Sequence, residues 1–107
     1  MTMCKSLNIL LVDDHRVLRT GMKLLLKTQE GFNVAAEASD GKEALQILVD
    51  KTDIDLVLLD LSMPGMGGME CLKEIRKNKY PVKVVILTMY SEQQYIREVM
   101  LLGADGY

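Results

Sequence analysis

Three aspartates and a threonine stand where apolar runs stop. Asn8-Ile9-Leu10-Leu11-Val12 is closed by Asp13 and Asp14, Ile54-Asp55-Leu56-Val57-Leu58-Leu59 by Asp60, and the run from Val82 to Leu87 by Thr88. Such runs suit strands buried on both faces, and in open α/β sheets functional groups gather beyond the carboxyl ends of the strands. If the first and third strands are neighbours, about 4.8 Å apart, their terminal acids converge in one crevice. Two carboxylates about 4 Å apart repel by roughly 4 kcal/mol at an effective dielectric of 20. Three together therefore call for a cation or for shifted protonation. The candidate ligands are oxygens, with no His or Cys cluster, which favours a hard ion, Mg²⁺ before Zn²⁺. Any one of these aspartates alone reads as a turn former or helix cap; their joint placement is what points to a site, and it leaves open which acid would be a nucleophile.

Other chemistries fit less well. The first strand-to-helix turn, Asp13-Asp14-His15-Arg16, has none of the glycines that let a backbone cradle a pyrophosphate, and there is no Walker lysine motif. Gly65-Met66-Gly67-Gly68 is too short and misplaced for that role. His15, the single histidine, reads as an exposed residue at a helix start before it reads as a proton carrier. Met63, Met66 and Met69 read as loop and core filling, and Lys73, Glu74, Arg76, Lys77 and Lys79 as a solvated helix face.

The elements that must hold these residues follow from the apolar spacing. Val17, Leu18, Met22, Leu24 and Leu25 recur at helical intervals until Gly31, which predicts a helix of about 13 residues with Gly31 as its stop. Asn33 to Ala38 is a short second strand, and Ser39-Asp40-Gly41-Lys42-Glu43 opens a second helix with Ala44, Leu45 and Leu48 on one face. After the third strand come a loop with Met63-Pro64-Gly65, a helix carrying Met69, Leu72 and Ile75, and the fourth strand. A fourth helix with Ile96, Val99 and Met100 ends at Gly103 and Gly106. Four strand-then-helix units predict an α/β doubly wound parallel sheet with right-handed crossovers and helices on both faces. The alternation stops at Tyr107, where a fifth strand and helix are expected, so the chain reads as one domain cut short.

Composition agrees with a single domain. The chain has 107 residues, 49% hydrophobic and 26% charged, enough for one modest core. Thirteen Lys and Arg against fifteen Asp and Glu give a formal charge of -2 without a basic run, so the electrostatic footprint of a nucleic-acid binder is missing. No apolar stretch suits a membrane span or a secretion signal, and the expectation is a cytoplasmic protein. Cys4 and Cys71 have neither disulfide-framework nor metal-site spacing and are expected as reduced thiols.

Leu11-Val12-Asp13-Asp14-His15, the stretch from Asp60 through Leu61-Ser62-Met63-Pro64-Gly65-Met66-Gly67 to Gly68, Ile86-Leu87-Thr88 and Gly103-Ala104-Asp105-Gly106-Tyr107 resemble, in order and spacing, the motifs of the receiver domain of two-component response regulators. The resemblance runs from about Leu7 to the last residue. The Asp-Asp-His start and the Gly-Ala-Asp-Gly-Tyr ending resemble the NarL/FixJ, LuxR-type subfamily, whose members usually carry a C-terminal helix-turn-helix DNA-binding domain. The resemblance implies the flavodoxin-like receiver fold, strand order 2-1-3-4-5, with residues 1–107 a receiver domain incomplete at its C-terminus and no DNA-binding domain in this chain.

It also implies roles. Asp60 would be the phosphoacceptor, taking a phosphoryl group from phosphohistidine on a sensor histidine kinase or from a small phosphodonor. Asp14 and Asp60 would bind Mg²⁺ through their side chains, Ser62 through its backbone carbonyl and Asp13 mainly through water. Thr88 would hydrogen-bond the phosphoryl group and Tyr107 would turn inward when it does. The chain would be a switch and not an enzyme beyond promoting its own phosphorylation and dephosphorylation. The family's lysine, three residues after the aromatic, lies past Tyr107, and Lys83 opens the fourth strand at the wrong end of the sheet. The fifth helix, which in the family often contributes to a homodimer, is absent too. Two other functions can be set against this one. A non-phosphorylated interaction module needs no such acid set. An aspartate-nucleophile phosphatase puts a second acid two residues after the nucleophile, where this chain has Ser62.

Overall fold

The computed structural model describes residues 7–60, 68–87, 101 and 104–106. Within them the order is β1 (Leu7–Val12), α1 (Arg16–Lys27), β2 (Phe32–Ala38), α2 (Gly41–Asp50), β3 (Leu56–Asp60), α3 (Gly68–Lys77) and β4 (Lys83–Leu87). The strands form one sheet in the order β2-β1-β3-β4, and every pairing is parallel. β1 is therefore interior, as its unbroken apolar run predicts. The expected fourth helix and the loop with Met63, Pro64 and Gly65 lie outside the described residues.

Alternation along the strands builds two cores. Leu10 and Val12 of β1, Val57 and Leu59 of β3, and Val84 and Ile86 of β4 point to the face covered by α2 and α3, where they meet Ala44, Leu48, Cys71, Leu72 and Ile75. Ile9, Leu11 and Leu58 point to the other face, against Met22 and Leu26 of α1. Helices thus cover both faces, as the strand-helix alternation predicts. Between Ile9 and Leu10 the β1–β2 register shifts by one residue, so that Val34 packs with the second core while Ala35 and Ala36 pack against the first.

α1 is present but ends before Gly31, the expected stop. None of its residues is buried; Met22 and Leu26 provide its packing, whereas Val17 is 87% and Leu24 62% exposed, with Leu18 and Leu25 more than half exposed. At 100° per residue, Leu18 and Leu25 fall on the flank of the Met22–Leu26 stripe, and Val17 and Leu24 fall on the far side. Five apolar residues at roughly helical intervals do not define one face. The helix stops at Lys27, with Thr28 as its C-cap; Gly31, four residues on, serves the turn into β2 with φ of 92°.

α2 starts where its sequence says: Asp40 accepts a hydrogen bond from the Glu43 amide at 2.8 Å, a cap worth about 1 kcal/mol. Beyond β4, the segment at Gly106 lies alongside Val85 in a parallel bridge. A Cβ on Gly106 would sit 3.3 Å from Val85 Cγ2, which suits glycine to that close approach. This bridge is what the described residues contain of the expected fifth strand. Among the described residues no helix is long and apolar enough to cross a membrane.

Candidate metal and phosphoryl site

The sheet order brings the predicted acids together. β1 and β3 are direct neighbours, with Val12 opposite Leu59, so Asp13 and Asp14, one and two residues past β1, stand beside Asp60 at the end of β3. One ligand atom each from Asp13, Asp14, His15 and Asp60 lies within 4.8 Å of the others. Asp13 and Asp60 are buried, at 5% and 9% exposure. Two buried carboxylates this close are costly without compensation.

The turn after β1 is specified atom by atom. The Asp13 amide donates to the Ala38 carbonyl of β2 at 3.1 Å. Its Oδ1 accepts from the His15 amide at 2.8 Å, in place of a side-chain cap from His15 itself, which makes none. The His15 ring is 65% exposed, with Nδ1 3.0 Å from Asp14 Oδ1 and 3.4 Å from Asp13 Oδ1. Exposure matches the sequence reading; proximity to the acids does not, and the set of potential ligands includes one nitrogen.

Asp14 Oδ1 is buried and accepts no hydrogen bond. Its nearest polar neighbour, the His15 ring nitrogen at 3.0 Å, offsets its charge only when the ring is protonated, and a cation among Asp13, Asp14 and Asp60 would supply the partner that a buried carboxylate oxygen requires. The donors are mainly carboxylate oxygens, the set a hard divalent ion takes. The residues present therefore fit Mg²⁺.

Ser62, Thr88 and Tyr107, expected at this site, lie outside the described residues. Lys83 pairs with Leu56 at the start of β4, whereas Asp60 pairs with Leu87 at its end, which puts Lys83 at the far end of the strand from the acids.

Two residues behind the acids escaped the sequence reading. Arg19 Nη1 donates to the Asp13 carbonyl oxygen at 2.6 Å, and its Nε donates to Glu37 Oε1 at 3.1 Å. Glu37 Oε2 accepts from Lys23 Nζ at 3.0 Å, and the Lys23 and Arg19 contacts hold the Glu37 carboxyl below its ordinary value. The available signal was an acid set inside the otherwise uncharged strand Phe32–Ala38.

Residues 9–107 match the response regulator receiver domain family. The transcriptional regulatory protein YdfI of Bacillus subtilis is 43% identical over 99 residues, covering 92% of this chain and 46% of the relative. The chain thus spans a little under half the length of the curated relatives it matches. Among solved structures, a LuxR-family two-component response regulator from Aurantimonas superposes with a TM-score of 0.90 at 35% identity, covering 96% of this chain and 73% of that one. CheY in the CheX–CheY–BeF3–Mg complex from Borrelia burgdorferi superposes with a TM-score of 0.83 at 31% identity, covering 94% of this chain and 75% of that one.

Proposed function

The chain belongs to the response regulator receiver family, and from that premise we propose that it is a phosphorylation switch in which Asp60 accepts a phosphoryl group with Mg²⁺ bound beside it. The observation that carries this reading is the convergence of Asp13, Asp14 and Asp60 within 4.8 Å at one end of the sheet, with Asp14 Oδ1 buried and accepting no hydrogen bond.

Asp14 and Asp60 would hold the ion through their carboxylates, Ser62 through its backbone carbonyl, and Asp13 through water. When bound, Mg²⁺ neutralises charge on the transferring phosphoryl oxygens. A carboxylate oxygen of Asp60 attacks phosphorus on the phosphohistidine of a sensor kinase. The O–P bond forms as the P–N bond breaks, the imidazole leaves with the electron pair and takes a proton, and Asp60 becomes an acyl phosphate. Burial of Asp60 limits the water able to hydrolyse that product. Its new charge and acceptor oxygens then draw on the Thr88 hydroxyl, with Tyr107 turning inward behind it, and bias the surface beyond. The output of the switch would be regulation of transcription, through a C-terminal DNA-binding domain of the kind that the subfamily resemblance implies, in keeping with a transcriptional regulatory protein and a DNA-binding LuxR-family response regulator among the proteins it resembles.

The test is intact mass after exposure to a small phosphodonor and Mg²⁺, on the chain extended through the family's lysine. A single phosphoryl adduct that needs Mg²⁺ and is lost in Asp60→Asn is expected. No adduct, or one that survives Asp60→Asn, overturns the reading.

A further inference from the structure

Backbone groups at the start of the β1–α1 turn are fixed from two directions. The Asp13 N–H is committed to Ala38 of β2, and the Asp13 carbonyl accepts from Arg19 Nη1 at 2.6 Å. That carbonyl belongs to the planar peptide unit that also carries the Asp14 N–H, so its direction sets the plane from which the Asp14 side chain departs. Arg19 is itself held. Its side chain is 17% exposed, and Nε is tied to Glu37 Oε1 at 3.1 Å. Glu37 stands opposite Leu11 in the β1–β2 ladder. One guanidinium spans two acceptors because its donors are fixed in a planar fork; an ammonium at the same place is a single point charge.

We propose that Arg19, braced by Glu37, is a positioning residue that aims the Asp13 and Asp14 carboxylates and so sets the affinity of the acid cluster for a divalent cation. This rests on the reading of the cluster as a Mg²⁺ site. Charge and geometry predict opposite signs. Removing a positive group near a cation site tightens cation binding if charge alone matters, because one repulsion is lost. Losing the brace weakens it. Outer partners of metal ligands are worth 10- to 100-fold in affinity, on the order of the usual range, and Arg19 acts through the backbone, so the lower edge, about tenfold, is expected.

Titration of the metal-free chain with MgCl₂, followed by the amide shifts of Asp13, Asp14 and His15, tests this without any phosphoryl transfer. Arg19→Gln should weaken Mg²⁺ about tenfold. Lys23→Gln, which removes the other cation on Glu37 but touches nothing on Asp13, should leave affinity within about twofold. Arg19→Lys, which keeps the charge and loses the fork, should fall between and carries the prediction if Arg19→Gln does not fold. Tighter or unchanged binding in the Arg19 variants overturns the proposal, and so does an equal loss in Lys23→Gln. A wild-type chain whose site amides do not respond to Mg²⁺ overturns both this proposal and the metal reading beneath it.

Discussion

Arg76 Nη2 lies 2.6 Å from Asp105 Oδ2, joining the end of α3 to the segment that runs beside β4. The same carboxylate oxygen accepts from the Val84 amide at 2.9 Å, and Arg76 Nη1 donates to the Val82 carbonyl at 2.9 Å. One arginine and one aspartate thus tie α3, the start of β4 and the parallel bridge at Gly106 together.

Asp105→Asn is therefore expected to lower stability by about 1 kcal/mol. Charged hydrogen bonds reach roughly 1.5–3 kcal/mol, and both side chains are near one-third exposed, which discounts the figure. The Val84 hydrogen bond, with help from Arg76 and Lys83, holds the Asp105 carboxyl below its ordinary value of 3.8. A depressed folded-state pKa means the unfolded chain binds the proton first on acidification. The contribution is complete above about pH 3.8 and is lost as pH falls below it. Urea unfolding across that range should show the wild type and Asp105→Asn converging at the acid end.

Cys71 is fully buried in α3, with Sγ directed to the Gly41 carbonyl at 3.8 Å. Burial, followed by the negative charge of Asp40, pushes the thiol up to about 12, so almost no thiolate exists at neutral pH. In a Cys4→Ser background, modification by a disulfide reagent at pH 8 should therefore track global unfolding. Asp40→Asn should leave that protection in place, because desolvation is the larger cause. Fast labelling of the folded chain would show that the α2–α3 contact opens locally.

Truncations on the two sides of the molecule should differ sharply. Leu72 and Ile75 are fully buried between α3 and the sheet, and replacement by Ala should cost about 2–5 kcal/mol. Val17→Ala and Leu24→Ala, on the exposed side of α1, should change stability by less than about 0.5 kcal/mol. Denaturant midpoints at constant slope would make the comparison. A large loss at Val17 or Leu24 would mean that α1 packs differently.

These contrasts also mark what was readable in the residues. The strands were legible because a parallel sheet buries both faces and leaves continuous apolar runs, and the acids were legible because the first and third of those runs end on them. The β1–β3 neighbourhood was only conditional until strand order was known. The inward side of α1 was not legible, since Leu24, Leu25 and Leu26 are consecutive and only packing against the cluster of Ile9, Leu11 and Leu58 selects Leu26. Arg19 and Glu37 were missed for a related reason. They are 18 positions apart, their contact exists only once α1 lies on β2, and neither belongs to the acid pattern. His15 was read correctly as exposed, but its place 3.0 Å from Asp14 depends on the exact turn that Asp13 closes.

The crowded acids carry a final expectation about metal removal. Asp13 and Asp60 are both buried, and their carboxylates lie within 4.8 Å. At an effective dielectric of 20, two unit charges at that distance repel by roughly 3.5 kcal/mol, an upper value that hydrogen bonding and local solvent reduce. Without divalent cations, Asp60→Asn keeps the side-chain shape and removes one of the repelling charges, and should be more stable than wild type by about 1–2 kcal/mol. Adding Mg²⁺ stabilises a folded state that binds it by RT ln(1 + [Mg²⁺]/Kd), and that gain should be large for wild type and small for the variant. Thermal unfolding with chelator and again with saturating Mg²⁺ should therefore show the advantage of Asp60→Asn shrinking or reversing. If the variant is no more stable than wild type in chelator, the three carboxylates are not held together against their charge, and the site stores no repulsion for a cation to relieve.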